Sequence, residues 1–233
     1  LCAYDKCAGK RGMIVVPDYA TFRDVTQPLI GELWPNGLYR IAIEQGAPKV
    51  YAQTASGTSE IIVRSAMNRQ VVKRIDGPTV AWAWMDEPSR MQQGKTAFEK
   101  VLGRIRQPAE YNGIFITGSP RGTNWIARVF DQLDRLPKQA WVWGIETKPG
   151  YYIRAARTQD NTANAEGYYE RLVEVYGELF AQQELEGDIV SQEGRIYPGF
   201  YEHVHVVPHE TAMELFARTV FRAGGADWGW TKP

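Results

Sequence analysis

The stretch Thr79–Pro88, which reads TVAWAWMDEP, decides how the rest of the sequence is interpreted. Six consecutive apolar residues, Val80 to Met85, are followed directly by the carboxylates of Asp86 and Glu87. An unbroken apolar run of this length is typical of a strand buried on both faces of a parallel sheet. Because burying a carboxylate is costly, we expect the two acids at the carboxyl edge of that sheet, where open α/β sheets bind ligands.

An apolar strand followed by Asp-Glu has the form of a Walker B motif of nucleotide hydrolases. In those enzymes the first acid holds Mg²⁺, usually through water, and the second orients the attacking water. The alternative interpretation is a plain buried strand with a charged turn at its end. The motif is short, so the neighbouring segments have to decide between the two.

A second motif, Ile116-Thr117-Gly118-Ser119-Pro120, ends the next apolar run. Small hydroxyl residues and a glycine at a strand end leave room for a phosphate, and the hydroxyls can hydrogen-bond a neighbouring acid. Read alone, the motif is an ordinary strand-to-helix turn. Because the motif lies about thirty residues after the acid pair, we favour a functional interpretation in which Thr117 and Ser119 contact nucleotide.

Three arginines precede the acidic strand: Arg64, Arg69 and Arg74. A guanidinium can stabilise the charge that develops on a transferred phosphoryl group. Arg121 follows the second motif and has the same two interpretations. Solvated or ion-paired surface arginines are the ordinary alternative for each.

Composition fits one large α/β domain, or one domain and part of another. The 233 residues are 44% hydrophobic and 12% aromatic, and 27 basic residues balance 27 acidic ones. This neutral total neither supports nor excludes a polyanionic partner. Cys2 and Cys7 lack partners at zinc-site spacing, and no apolar run is long enough for a membrane span, so we expect a soluble cytoplasmic protein without a disulfide.

Apolar periodicity predicts strands that alternate with helices, and hence a doubly wound, mainly parallel sheet. One predicted helix, Thr21–Trp34, places Phe22, Val25, Leu29 and Leu33 on its apolar face. Further helices are predicted at Asn68–Ile75, around Phe98–Ile105, at Trp125–Leu136 and at Ala165–Glu186. Strands are predicted at Met13–Val16, Val50–Thr54, Glu60–Arg64, Ile114–Thr117 and Trp141–Ile145, with a hairpin at Ala55–Ser59.

The last part of the sequence changes character after Gly187. Short β-like pieces follow, and Asp227 lies after a glycine pair on an apolar strand, where it could be one ligand of a two-metal nuclease. His203, His205 and His209 have near-alternate spacing, but no cysteine or acid completes a metal site with them, so we interpret them as surface histidines.

Taken in order, these segments resemble the large terminase subunit of tailed bacteriophages, the ATPase that packages DNA into proheads. The resemblance rests on Met13–Pro17, on Ile61–Ser65 with Arg74–Gly77, on Trp84-Met85-Asp86-Glu87 as Walker B and on Thr117-Gly118-Ser119-Pro120 as the coupling motif. It continues through Gln159-Asp160-Asn161, the helix Tyr168–Leu185 and Glu186-Gly187-Asp188 to Gly225–Gly229. No G-x-x-x-x-G-K-[ST] loop occurs, so the resemblance places the phosphate-binding loop upstream of Leu1.

The resemblance implies a RecA-like P-loop NTPase core with a mainly parallel sheet and flanking helices, plus the start of an RNase H-like nuclease domain. It assigns residues 1–190 to the ATPase domain, 191–218 to a linker and domain boundary, and 219–233 to the first nuclease strand. It implies Asp86 for Mg²⁺ with ATP, Glu87 as catalytic base, and Thr117 and Ser119 for coupling. Arg74 would be the arginine finger and Asp227 the first nuclease metal ligand.

The same resemblance implies ATP and Mg²⁺ for the ATPase and two divalent ions, Mg²⁺ or Mn²⁺, for the nuclease. The implied partners are double-stranded DNA, the portal and prohead, a small terminase subunit and further copies in a ring, with no membrane, in the host cytoplasm. It also implies that this stretch alone is inactive, because the phosphate-binding loop and most of the nuclease would lie outside it.

Two other interpretations stay open at this point. A DEAD-like helicase or translocase has the same strand-plus-acids arrangement, but it would need a second RecA-like domain rather than an acid-bearing strand. A degenerate α/β scaffold without catalysis is the third interpretation. A glycine-rich phosphate-binding loop within about twenty residues upstream of Leu1 would remove it.

Overall fold

The computed structural model describes residues 5–34, 37–119, 124–130, 139–176, 181, 183–187 and 209–218. The chain divides into two compact units, residues 1–191 and 192–233. The strands of the first unit are β1 (Gly12–Val16), β2 (Tyr39–Glu44), β3 (Ala47–Thr54), β4 (Gly57–Ser65), β5 (Trp82–Asp86), β6 (Gly113–Thr117), β7 (Ile145–Lys148) and β8 (Tyr151–Ile153). Its α-helices are α1 (Tyr19–Thr21), α2 (Gln27–Leu33), α3 (Arg69–Val72), α4 (Gly94–Leu102), α5 (Trp125–Val129), α6 (Gln139–Val142) and α7 (Tyr168–Val175).

The main sheet has six strands in the order β2-β3-β4-β1-β5-β6. β1 pairs in parallel with β4 and β5, and β5 pairs in parallel with β6, whereas β2, β3 and β4 form an antiparallel extension. The hairpin predicted at Ala55–Ser59 joins β3 to β4. The predicted α/β class with a mainly parallel sheet is therefore confirmed.

Helices cover both faces of this sheet, because its central strands are apolar on both sides. Met13, Val15, Ala83 and Met85 pack on one face against residues of α3 and α4. Ile14, Val16 and Trp82 pack on the other face with Phe22 and Ile30. The fully buried β1 and the mostly buried β5 thus lie in the middle layer of a three-layer arrangement.

The helical segment between β1 and β2 contains a π-helix, Phe22–Thr26, between α1 and α2. Within it the backbone N–H of Gln27 donates to the carbonyl of Phe22, five residues earlier. The extra residue in this turn shifts the helix face by one position. Phe22 is buried as predicted, but the buried face continues through Thr26 and Ile30. The predicted Val25, Leu29 and Leu33 are 58%, 38% and 72% exposed, so the prediction was wrong for these three residues.

Two predicted strands differ from the structure. Ile114–Thr117 does lie in β6, but β6 is the last strand of the sheet among the described residues, so Phe115 is 42% exposed and the strand is not fully buried. The predicted strand Trp141–Ile145 is wrong: Gln139–Val142 is helical, and a left-handed Gly144 with φ 82° separates it from β7. A short apolar run does not distinguish helix from strand by periodicity.

The long helix predicted for Ala165–Glu186 is interrupted in the structure, since Ala181, Gln183 and Glu184 are helical again after the end of α7. α7 ends at Val175, where the following Tyr176 is extended with φ −86° and ψ 135°. The segment before it contains β8, which pairs with β7 in a separate antiparallel hairpin. The apolar stripe therefore did not reveal the end of α7 at Val175.

In the second unit the structure describes one helix, α8 (His209–Arg218). It lies within the predicted linker, and that boundary stays a prediction. The β-like pieces predicted at residues 195–200, 203–207 and 219–221 and the nuclease strand at 219–233 lie outside the described residues. In the described part of the chain, every helix is too short or too polar to cross a membrane.

Candidate active site

The carboxyl ends of the parallel strands meet at one edge of the sheet. β5 ends at Asp86, and β6 ends directly beside it because Asp86 and Thr117 are opposite each other in the parallel register. β1 and β4 end at the same edge, with Val16 paired to Ser65. The two motifs predicted from separate stretches of sequence are therefore neighbours in space.

Both carboxylate oxygens of Asp86 accept hydrogen bonds from threonine hydroxyls. Thr117 Oγ1 donates to Asp86 Oδ1 at 2.9 Å. Thr26 Oγ1, in the π-helix, donates to Asp86 Oδ2 at 3.0 Å. Because these donors are neutral, they orient the carboxylate without compensating its negative charge.

Trp84 adds one more hydrogen bond to those between Asp86 and the two threonines. Its indole Nε1 donates to Thr117 Oγ1 at 2.7 Å. Residues two apart on a strand share a face, so Trp84 and Asp86 point to the same side of β5. The hydroxyl of Thr117 accepts from Trp84, and its single proton is directed at Asp86.

Glu87 has a left-handed backbone, with φ 51° and ψ 49°, directly after the strand. Its N–H donates to the Thr117 carbonyl at 2.8 Å, which continues the β5–β6 ladder past Asp86. Its carboxylate, 26% exposed, forms an ion pair with Arg90, with 3.5 Å between Oε2 and Nε. A non-glycine residue in this conformation costs free energy, and such strain concentrates at functional sites.

The second motif approaches Glu87 closely at its glycine. Gly118 has φ 153°, and a Cβ on it would lie 3.2 Å from Glu87 Cα and 3.3 Å from Glu87 Oε2. The carbonyl of Ser119 accepts a hydrogen bond from Ser89 Oγ at 3.2 Å. Glycine therefore allows the end of β6 to pack against the acid pair.

The arginines occupy different surroundings. Arg64 donates from Nε to the carbonyl of Arg74 at 3.1 Å and from Nη1 to the carbonyl of Val63 at 2.9 Å. Partial burial, the largest cause, lowers the pKa of the Arg64 guanidinium. Arg74 and Arg69 are exposed. The arginine-finger role of Arg74 stays a prediction, and Arg121 lies outside the described residues.

The oxygen atoms at this edge fit a Mg²⁺ ion that is bound together with a nucleotide. Asp86 retains acceptor capacity on both oxygens after the two threonine bonds. In the described part of the chain there is no cluster of three or more His, Cys, Asp or Glu that could hold a metal. One carboxylate is enough where Mg²⁺ keeps most of its waters and takes its other ligands from phosphates.

The metal-ligand candidates of the second unit are not described. Asp227, His203 and His205 lie outside the described residues. His209 is exposed and begins α8. The nuclease metal ligand therefore stays a prediction.

Sequence reasoning missed three residues of the site around Asp86 and Glu87. Thr26 is polar and lay outside the predicted apolar face, and nothing in the periodicity reveals the π-helix that brings it to Asp86. Trp84 could have been found from the strand period, because it lies two residues before Asp86. Arg90 lies three residues after Glu87, but its ion pair depends on the turn that follows the strand.

Fold and site together define an α/β protein in which an acid pair and threonine hydroxyl groups lie at the carboxyl edge of the parallel strands, where open α/β sheets bind ligands. Among solved structures, the chain is similar to the large terminase from a thermophilic bacteriophage, with a TM-score of 0.63 and 21% identity over 88% of this chain and 47% of that one. It is also similar to the same phage terminase in complex with ADP, with a TM-score of 0.60, 19% identity and coverage of 88% and 47%. The complex of that terminase with ATP-gamma-S has a TM-score of 0.57 and 16% identity over 88% and 46%.

The described chain therefore has the fold found in large terminases. It spans about half the length of the solved terminases it matches. The sequence matches no protein-family model and no curated protein.

Proposed function

We propose that this chain is part of the ATPase motor of a large terminase, in which ATP hydrolysis drives viral DNA into a prohead. The observation that carries the proposal is the carboxylate of Asp86, which lies at the carboxyl end of a central parallel strand and is oriented by neutral donors on both oxygens. Such a carboxylate keeps its charge for a cation, and this sheet edge is where α/β proteins bind ligands.

Each residue at the edge has a role in this proposal. Asp86 would hold Mg²⁺ through water together with the phosphates of ATP, and the bound ion would neutralise charge on the phosphates. Glu87 orients the attacking water and acts as the catalytic base. Thr117 and Ser119 couple the state of the nucleotide to movement, and Arg74 supplies the arginine finger.

The nucleotide part of the proposal is supported by the solved relatives of the fold. The large terminase of the thermophilic phage was solved with ADP and with ATP-gamma-S. The further parts are proposals for the intact protein: contacts mainly to the phosphates of double-stranded DNA, assembly into a ring on the portal, a small terminase subunit, and cleavage by a two-metal nuclease that includes Asp227.

Replacing Glu87 by Gln in the intact protein tests the proposal. We expect steady Mg²⁺-ATP turnover to fall about 10²–10⁴-fold, because the base is lost while shape and nucleotide binding are kept. The matched control is Glu99→Gln on α4, where the carboxylate is 60% exposed and faces Lys95 at 3.9 Å.

Equal turnover in Glu87→Gln and wild type would remove Glu87 as the base. An absence of turnover in the wild type, even with DNA and proheads present, would instead favour the scaffold interpretation. Nucleotide affinity, measured by calorimetry in both proteins, separates a lost base from a lost binding site.

A further inference from the structure

Thr26 is fully buried, with 0% of its surface exposed, although it carries a hydroxyl group. A buried hydroxyl needs a hydrogen-bond partner, and hydroxyl residues in helices often use the carbonyl of the preceding turn. Thr26 instead donates to Asp86, sixty residues later in the chain. The only π-helical turn in the described part of the chain ends at this residue, and such turns are frequent at functional sites.

The second oxygen of Asp86 is restrained independently. Thr117 reaches it from β6, and Trp84 fixes the direction of the Thr117 hydroxyl. We call Thr26 and Thr117 the threonine clamp. Its members come from two elements and bind different oxygens, so rotation of the carboxylate about its Cβ–Cγ bond would strain or break these hydrogen bonds.

We propose that Thr26 is a positioning residue for Asp86, which fixes the carboxylate so that its remaining lone pairs face the cation site. This inference rests on the proposed function, because it deepens the role given there to Asp86. A lysine or arginine in place of Thr26 would hold the carboxylate as firmly but would neutralise it. A neutral donor holds the geometry and preserves the charge that attracts the cation.

The competing explanation is that Thr26 merely fills the core between Phe22 and Ile30, which share its face. Valine has nearly the same shape as threonine but lacks the hydroxyl group. Thr26→Val therefore separates the two explanations, and Thr26→Ser retains the hydroxyl group. The matched control is Thr21→Val, because Thr21 belongs to the same helical segment but donates to Asp18 at 3.2 Å.

The first readout needs neither nucleotide nor metal. The full chain is labelled at its eight tryptophans, and the Trp84 indole N–H resonance is assigned by its loss in Trp84→Phe. We expect Thr26→Val to move this resonance upfield, because a carboxylate released at Oδ2 rotates and loosens the Thr117 hydroxyl that Trp84 contacts. Thr26→Ser and Thr21→Val should keep the wild-type position.

The second readout is the Mg²⁺ dependence of turnover in the intact protein. Outer-shell partners of metal ligands typically contribute about 10- to 100-fold to metal affinity or activity. We expect Thr26→Val to raise the Mg²⁺ concentration for half-maximal turnover about tenfold, with rescue by Thr26→Ser. If Thr26→Val does not fold, Thr26→Ala is compared with Thr26→Ser, since that pair also differs only in the hydroxyl group.

A folded Thr26→Val protein with an unmoved Trp84 resonance and unchanged Mg²⁺ dependence would overturn the inference. Failure of the proposed function has a different signature: Asp86→Asn would then turn over ATP as the wild type does. If Asp86→Asn is inactive and Thr26→Val is normal in both readouts, the proposed function stands and the positioning role falls.

Discussion

Asp86 and Glu60 are carboxylates in the same sheet, but their surroundings differ in charge. Asp86 accepts hydrogen bonds from two neutral hydroxyls at the carboxyl edge of the parallel strands. Glu60, on β4, lies between two cations: Arg11 Nη2 contacts its Oε2 at 2.8 Å, and Lys49 Nζ contacts its Oε1 at 2.9 Å. Asp86 is oriented by neutral groups, whereas the charge of Glu60 is paired with two cations.

The charged group around Glu60 continues across the antiparallel extension. Lys49 on β3 also contacts Glu44 Oε2 on β2 at 2.9 Å, and the Tyr51 hydroxyl donates to Glu44 as well. We call Arg11, Glu60, Lys49 and Glu44 the cross-strand network. Opposite charges on adjacent strands stabilise strand pairing, so this network holds the extension together.

The difference indicates which carboxylate is available for chemistry. An ion-paired carboxylate must lose its partner before it can bind a cation, whereas one held by hydroxyl groups can bind it directly. The backbone shows the same contrast. Gln45 and Gly46 both have positive φ in the β2–β3 turn, as a two-residue hairpin requires, but no turn of that kind explains the positive φ of Glu87.

The largest expected effect is on ATP turnover, when the charge of Asp86 is removed and compared with removal of the charge of Glu60. Asp86→Asn should lower Mg²⁺-ATP turnover of the intact protein by at least about 100-fold, because stabilisation by a bound metal ion contributes several kcal/mol. Glu60→Gln should leave turnover at the wild-type level, because its partners are the cations of the network. Steady-state kinetics at saturating ATP measures both, and similar losses in the two variants would break the comparison.

A smaller effect is expected at Gly118, where the site depends on close backbone packing. Gly118→Ala should lower the free energy of unfolding by about 1–3 kcal/mol, because the new Cβ is strained at this φ and contacts Glu87. Urea unfolding measures the change. Gly46→Ala is the control, since Gly46 has φ 72° but no atom within 4 Å of an added Cβ.

The expected loss for Gly46→Ala is smaller, because only the backbone strain is present there. Equal losses at the two glycines would show that contact with Glu87 contributes nothing to the cost at Gly118.

The sequence was sufficient to predict the acid pair at a strand end and the second motif beside it. Both follow from unbroken apolar runs that end in polar residues, and parallel strands bring such ends together. Thr26 could not be predicted, since one extra residue in a π-helical turn moved the buried face from Val25, Leu29 and Leu33 to Thr26 and Ile30.

The cross-strand network was also beyond prediction. β2 was not recognised as a strand, although Tyr39, Ile41 and Ile43 alternate with more polar residues. The partners of Glu60 depend on the register of β3 against β2 and β4, in which Lys49 pairs with Ala42 and Ile62. Periodicity gives the face of a residue but not its neighbour across the strand.

The smallest expected effect is the pH dependence that Glu60 contributes. Partial burial raises the pKa of Glu60, but hydrogen bonds from Lys49 and Arg11 outweigh it and leave the pKa below its ordinary value of 4.5. A carboxylate whose pKa is lower in the folded state stabilises the fold fully above the unfolded pKa and loses that contribution as the pH falls through the folded pKa. We therefore expect Glu60→Gln to lower the free energy of unfolding by about 1 kcal/mol at pH 7.

This difference in the free energy of unfolding between Glu60→Gln and wild type should narrow as the pH falls below about 4.5. The wild-type carboxylate then becomes protonated and is neutral, like the glutamine side chain. Urea unfolding between neutral and acidic pH measures it, with Glu99→Gln as the exposed control. A difference that stays constant with pH would mean that Glu60 stabilises the extension by packing rather than by charge. The contrast with Asp86 would then have to rest on orientation alone.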